Sequence, residues 1–212
     1  MAQRVEAPDS LDFFPTPPWA TRALLEHVFD LDWFPLKELI VLEPACGRGD
    51  MARPLAEYFN RVEASDVFDY GFGAVEDFLW PNQAPPRFDW IITNPPFRLG
   101  VDFVRQALAR SEIGVAVLVR LAFLESEDRY EALYKRNPPT VVAQFVERVP
   151  MFKGRLDPSG SSATAYCWMV WHKTAAPRPF AWIAPCRRRL ERPGDYDGYL
   201  EAPAGAGPLF GE

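Results

Sequence analysis

The apolar run FDWIIT, residues 88–93, stops against two prolines in NPPF, residues 94–97, and nothing else in the chain limits the fold so much. Proline has no N–H for a sheet ladder, so two in succession end a strand. A continuous apolar run that ends this way suits a strand buried on both faces of a parallel sheet, its carboxyl end opening into a loop. The same rhythm recurs along the chain. ELIVLE (38–43), VEASD (62–66) and IGVAVLVRL (113–121) read as further strands, and MARPLAEYF (51–59) and VDFVRQALAR (101–110) as helices between them. Ahead of these, FFPTPPWATRALLEHVF predicts a helix. Thr16 suits its cap, Pro17 and Pro18 its first turn, and Ala20, Leu24 and Val28 share one face. Alternating strands and helices imply right-handed crossovers and a parallel sheet, which binds ligands beyond the carboxyl ends of its strands. TVVAQFVERV (140–149) and ATAYCWMVWH (163–172) are two late strands close enough in sequence for an antiparallel pair.

Residues 1–12 read as a loose polar segment, 13–173 as one domain, and the Pro-, Gly- and Arg-rich residues 174–212 as an extension packed on it. No run of about 18 apolar residues and no basic-then-apolar leader pattern occurs, so neither a membrane span nor a secretory signal is expected. Cys46, Cys167 and Cys186 are far apart and lack a CxxC or His companion, which points away from disulfides and zinc and toward a reducing cytoplasm. His27 and His172 lie in no recognisable motif and read as structural. The net charge of −6 excludes a general polyanion binder, but it is unevenly spread. Residues 1–86 hold 6 basic and 15 acidic side chains, whereas residues 129–192 hold 12 basic and 4 acidic. A one-sided phosphate-contacting surface fits that asymmetry, as does a rim of solvated ion pairs.

Four segments fall at the ends of predicted strands. EPACGRG (43–49) follows the first; Gly47 and Gly49 permit a tight turn and a close approach to a ligand. Glu43 at the strand tip disfavours pyrophosphate and favours a cationic ligand bearing an ammonium or sulfonium group. The loop also lacks the Gly-Lys-Ser/Thr ending of a phosphate-binding loop. Asp66 ends the second strand, where a carboxylate accepts from a ribose diol or caps a helix. Asp77 can accept from an adenine amino group and Phe78 can cover its face; equally, Asp77 is a turn residue and Phe78 core.

Asn94 ends the FDWIIT strand. Its side-chain oxygen and the Pro95 carbonyl are two acceptors on a rigid turn, able to take both hydrogens of an –NH2 group. The lone pair of an aromatic amine is delocalised into its ring and is a poor nucleophile. Two well-aimed acceptors favour a pyramidal nitrogen and stabilise the positive charge that develops on it. Phe97 offers a face for a planar group.

In these motifs the sequence resembles the S-adenosylmethionine-dependent amino-methyltransferases, and among them the DNA adenine-N6 methyltransferases, over roughly residues 13–172. The resemblance implies a Rossmann-like class I methyltransferase fold: α/β, with a mostly parallel seven-stranded sheet, an antiparallel late strand, and helices on both faces. It implies S-adenosylmethionine held by Thr16, by Glu43, Ala45, Gly47 and Gly49 of VLEPACGRGD, by Asp66, and by Asp77 and Phe78. NPPF matches the catalytic tetrapeptide, Asn94, Pro95, Pro96 and Phe97. RVPMF (148–152) is similar to the segment whose aromatic, here Phe152, stacks on an extruded base, which Phe97 and Phe152 would sandwich. Lys153 and Arg155 in the mobile loop after it, and Arg187 and Arg188 in CRRRLER (186–192), are expected at the phosphate backbone of single- or double-stranded DNA. Larger members carry a sizeable C-terminal recognition domain. With about forty residues after the last strand, the chain is more similar to short phage and prophage enzymes of low sequence specificity, and a monomer is favoured. RNA adenine methyltransferases and release-factor glutamine methyltransferases use the same scaffold, the latter with an Asn-Pro-Pro-aromatic motif that usually ends in tyrosine. Phe97 and the basic late segment favour nucleic acid over protein. The intact motifs weigh against a non-catalytic binder on a decayed fold.

Overall fold

Strand β5 (Ser111–Arg120) shows how alternation along the chain divides the molecule into layers. Val115, Val117 and Val119 are buried on one side of the sheet, and Ala116 and Leu118 on the other. Successive side chains of a strand point to opposite faces, so an apolar run of this kind needs cover on both. The computed structural model describes residues 12–29, 36–80 and 86–200.

The cover on one face comes from α1 (Pro18–His27), α2 (Ala52–Ala56) and α5 (Arg187–Leu190). On the other it comes from α3 (Gly100–Arg110) and a helical segment whose first turn is α4 (Glu127–Arg129), running on to Tyr134. The remaining strands are β1 (Ile40–Glu43), β2 (Arg61–Asp66), β3 (Ala74–Val75), β4 (Phe88–Thr93), β6 (Val141–Phe145), β7 (Tyr166–His172) and β8 (Ala181–Ile183). They form one sheet in the order β3-β2-β1-β4-β5-β7-β6-β8. Only β7 runs against its neighbours β5 and β6; every other pair is parallel. The chain reverses direction in sheet order at β1/β4, the crevice where open α/β sheets bind ligands.

The sheet has eight strands, one more than the expected seven. Strand β8 lies in the Pro- and Arg-rich segment after residue 173, pairs with β6 and forms the edge. It is three residues long and flanked by prolines, which hides it from a reading based on apolar periodicity. The 140–149 strand ends early, at Phe145, and the 51–59 helix at Ala56. Thr16 does not cap α1: the cap position is Pro17, which makes no side-chain bond. The expected loose segment falls, for residues 1–11, outside the described residues. No helix among the described residues is long and apolar enough to cross a membrane.

Candidate active site

The carboxyl ends of β1, β2 and β4 open into one cavity of about 380 Å³. That volume lies within the usual range for small-molecule sites. Thr16, Glu43, Ala45, Gly47, Asp66, Asp77, Phe78, Asn94, Pro95, Pro96 and Phe97 all border it. Segments far apart in sequence, from Thr16 to Phe97, thus meet where the strand order reverses.

Two glycines shape the loop after β1. Gly47 has φ +50° and Gly49 φ +84°, conformations that side chains rarely adopt. A Cβ on Gly47 would come within 2.4 Å of the Phe13 ring, and one on Gly49 within 2.6 Å of the Phe72 ring. Gly49 stands back from the cavity and makes the turn rather than a wall: its N–H donates to the Cys46 carbonyl at 2.7 Å. Asp66 ties the same loop to β2. One of its oxygens accepts from the Gly47 N–H at 2.9 Å, the other from the Phe68 N–H at 3.1 Å. A carboxylate oxygen has two lone pairs, so both retain acceptor capacity toward the cavity. Asp77 accepts from the Leu79 N–H at 2.9 Å through one oxygen. Phe78 is core as well as cavity wall, packed 5.2 Å from the Phe103 ring centroid.

Glu43 is 2% exposed, and its Oε2 has no hydrogen-bond partner. Burial, then the nearby Asp50 and Asp66 carboxylates, push its pKa well above the ordinary carboxylate range; the Ala52 N–H and Arg53 pull weakly the other way. The fixed negative charge expected from sequence is therefore conditional. Burial and the two neighbouring carboxylates work toward its neutral form, and a cation in the cavity would work toward the charged one. Burial, Glu43 and Asp66 likewise push the Cys46 thiol up to about 12, so it is no nucleophile.

The Asn94 amide is fixed by one contact. Its Nδ2 donates to the Phe14 carbonyl at 2.8 Å, which leaves Oδ1 as the acceptor of a residue that borders the cavity. That Oδ1 is buried and has no partner. Among the described residues no hydrogen bond ends on the Pro95 carbonyl, whereas the Pro96 carbonyl takes the Leu99 N–H at 3.0 Å. The turn thus presents two acceptors and spends the third on its own closure. Asp12 braces it, accepting from the Phe97 N–H at 2.6 Å. Sequence reading missed Asp12, Phe13 and Phe14 as positioning groups. Phe13 also stacks on Tyr70 with centroids 4.7 Å apart, joining the N-terminal segment to the loop after β2 across the cavity. The only sequence signal was the aromatic pair ahead of PTPP; nothing marked Asp12.

The residues expected at the acceptor are placed differently. Phe152, Lys153, Arg155, Arg187 and Arg188 do not border the cavity. The half-buried Phe152 packs its ring on Gly160, where a Cβ would lie 2.3 Å away, with the Arg155 guanidinium 5.3 Å over it. This loop is not free of the site, because the Gly154 N–H donates to the Phe13 carbonyl at 2.9 Å. The Arg187 head is taken up by Glu191 at 2.7 Å and by the Pro158 carbonyl. The two arginines expected at phosphates thus differ: Arg187 is half-buried and Arg188 exposed. Arg189 and Arg192 are paired with Glu26 and Glu57.

No protein-family model matches the chain, and no curated protein does. Solved structures do resemble it. The modification subunit of a proposed type I restriction enzyme from Vibrio vulnificus YJ016 matches with a TM-score of 0.58 at 16% identity, over 91% of this chain and 52% of that one. This chain therefore spans about half the length of that structure. A proposed RNA methyltransferase from Pyrococcus horikoshii matches with a TM-score of 0.58 at 15% identity, over 81% and 94% of the two chains. An O-methyltransferase assigned in Agrobacterium tumefaciens reaches 0.50 at 13% identity, over 80% and 86%. At such identities the likeness is one of fold, and the sheet order agrees with it: the chain has the Rossmann-like class I methyltransferase fold.

Proposed function

We propose that the chain transfers a methyl group from S-adenosylmethionine to the exocyclic N6 amine of adenine in DNA, with low sequence specificity. The observation that carries this reading is the Asn94 amide: the residue borders the cavity, its nitrogen is committed to Phe14, and its buried oxygen has no donor among the described residues. A buried acceptor left unpaired is costly, and an –NH2 group in the acceptor half of the cavity supplies what it lacks.

The residues fit the cofactor on three counts. Glu43 has an orphaned buried oxygen suited to a cation. The loop at Gly47 has backbone where a side chain would collide. Asp66 and Asp77 keep acceptor capacity for hydroxyl and amino donors. When bound, S-adenosylmethionine supplies an electrophilic methyl on a sulfonium. The chain supplies alignment. Asn94 Oδ1 and the Pro95 carbonyl accept the two amine hydrogens, which favours a pyramidal nitrogen and stabilises its growing positive charge. Phe97 carries the ring of the acceptor base. No side chain is required as a strong base, because the methylated ammonium can release its proton to water.

The test is methyl transfer to four acceptors in parallel: unmethylated duplex DNA, the same DNA as single strands, an RNA transcript and a release factor. Label should enter DNA as N6-methyladenine. Label confined to RNA or to the release factor would replace this substrate with that one, and no transfer to any acceptor would reject the reading.

Glu43 gives the reading a pH signature. Its pKa is raised in the ligand-free protein, and a cationic ligand stabilises its charged form. Cofactor binding should therefore release a proton, and affinity should rise with pH until the ligand-free Glu43 is ionised, then level off. Calorimetry in buffers of different ionisation enthalpy measures that proton. Glu43→Gln should abolish the release and flatten the pH dependence. A wild-type protein that binds with no proton exchange below neutral pH contradicts the role given to Glu43.

A further inference from the structure

Arg120, the last residue of β5, lays its guanidinium 3.8 Å from the centroid of the Phe97 ring. It is also 5.7 Å from the Phe14 ring, which packs against Phe97 with centroids 4.9 Å apart, tilted by 47°. A separation of 3.8 Å is a stacking distance, and a guanidinium is planar, delocalised and about the size of one ring of a base. Arg120 therefore sits as a planar group would sit if Phe97 carried it. Besides these rings it is held by a side-chain hydrogen bond to Tyr166. Arg120 is exposed, and among the described residues it makes no ion pair. Its other neighbour is the buried Tyr166, opposite it in the β5–β7 ladder.

We infer that Arg120 occupies the seat of the acceptor's ring on Phe97 and leaves it when the acceptor enters. The inference rests on the function proposed above, since it takes Phe97 as the acceptor's platform. An exposed guanidinium stacks on a ring less strongly than a nucleobase does, so the exchange favours the base. The displaced cation stays on a flexible stem beside Phe97, which borders the cavity; a nucleotide's phosphate is a natural partner for it, and a bare nucleoside offers it none. Arg120 is thus a positioning residue that sorts acceptors, keeping Phe97 covered against small apolar molecules and yielding to a large aromatic face. It leaves the cofactor half of the cavity untouched.

The test uses adenosine as the probe, with S-adenosylhomocysteine present at saturation so that adenosine reports on the acceptor half alone. In the free protein the Arg120 Nε–Hε resonance should be shifted upfield by the Phe97 ring current, and Arg120→Lys identifies it by its loss. Adding adenosine should return the resonance to the range of solvated arginines. Arg120→Ala should bind adenosine about two- to fivefold more tightly, the equilibrium equivalent of losing one exposed cation–π contact. S-adenosylhomocysteine binding should be the same in wild type and in Arg120→Ala. Adenosine binding with the Arg120 resonance unmoved, or with no gain in the alanine variant, overturns the inference while leaving the proposed function standing. Loss of S-adenosylhomocysteine binding by the wild type instead defeats the proposed function, and a failure of adenosine to bind either protein removes the seat itself.

Discussion

Asn94→Ala should lower methyl transfer about 100- to 1,000-fold, the range seen when one preorganised group facing developing charge is removed, while cofactor affinity stays within error of wild type. The separation follows from the site's two halves. The groups proposed to hold the cofactor are Glu43 and Asp66 at the carboxyl ends of β1 and β2, the Gly47 loop after β1, and Asp77 after β3. Asn94 reaches the Phe14 carbonyl and the cavity, and its oxygen has no other partner to lose. Asn94→Asp separates hydrogen-bond geometry from mere polarity. Aspartate keeps an acceptor but cannot donate to Phe14, and its charge would face a carbonyl oxygen at the distance now spanned by a hydrogen bond. It should be nearly as inactive as alanine. Radiolabel incorporation under saturating cofactor, with calorimetric titration of S-adenosylhomocysteine, measures both quantities. Wild-type turnover by either variant would remove Asn94 from the reaction, and a matching loss of cofactor affinity would move it to the cofactor half.

The central strands and their order of use were legible because burial on both faces forces continuous apolar runs, and two prolines mark the end of β4 without ambiguity. Asn94, Glu43, Gly47 and Asp66 could be placed at one site because each closes a predicted strand or lies in the loop just beyond one. Other features leave no such trace. Asp12 has the composition of a loose polar segment, yet in the fold it holds the Phe97 N–H. The Phe14 carbonyl orients Asn94, and a backbone group has no identity in a sequence. Glu43 reads as a charge, but its protonation depends on burial and on Asp50 and Asp66, which only the fold brings near. CRRRLER read either as a phosphate-contacting segment or as a solvated rim of ion pairs. In the fold Arg187, Arg189 and Arg192 each meet an acid, and Arg189 and Arg192 remain exposed alongside Arg188. Arginine count alone cannot separate a phosphate-binding face from a set of internal ties, because the same chemistry makes both.

Arg22 is the most consequential of these ties, and Arg22→Met should destabilise the protein by about 3–5 kcal/mol, the usual cost of breaking a buried ion pair from one side. The residue lies in α1 and is 3% exposed. Its Nε and one terminal nitrogen clasp Glu57 at 2.8–3.2 Å, and its two terminal nitrogens take Asp195 at 2.8 and 2.9 Å. A further bond at 2.7 Å reaches the Leu190 carbonyl. Burial works against the charge, but Asp195 and Glu57 outweigh it and hold the guanidinium above its ordinary range. Methionine would fill much of the volume and leave two carboxylates facing each other, one of them Asp195 at 7% side-chain exposure. For a chain of this size that loss lowers the melting temperature by roughly 6–20 °C. Lysine should not rescue it, since a single ammonium cannot serve two carboxylates and a carbonyl in a forked geometry. The effect should also reach the cofactor loop. Beyond Asp195 the chain carries Tyr199, whose hydroxyl donates at 2.7 Å to Asp50, a residue of the cavity wall. Loosening the segment at Asp195 should therefore weaken S-adenosylhomocysteine binding below the melting transition, whereas Tyr199→Phe should weaken it with far less loss of stability. Thermal denaturation together with calorimetry distinguishes the two, and an Arg22→Met protein that melts within about 2 °C of wild type would mean that the three side chains lie in water rather than in the core.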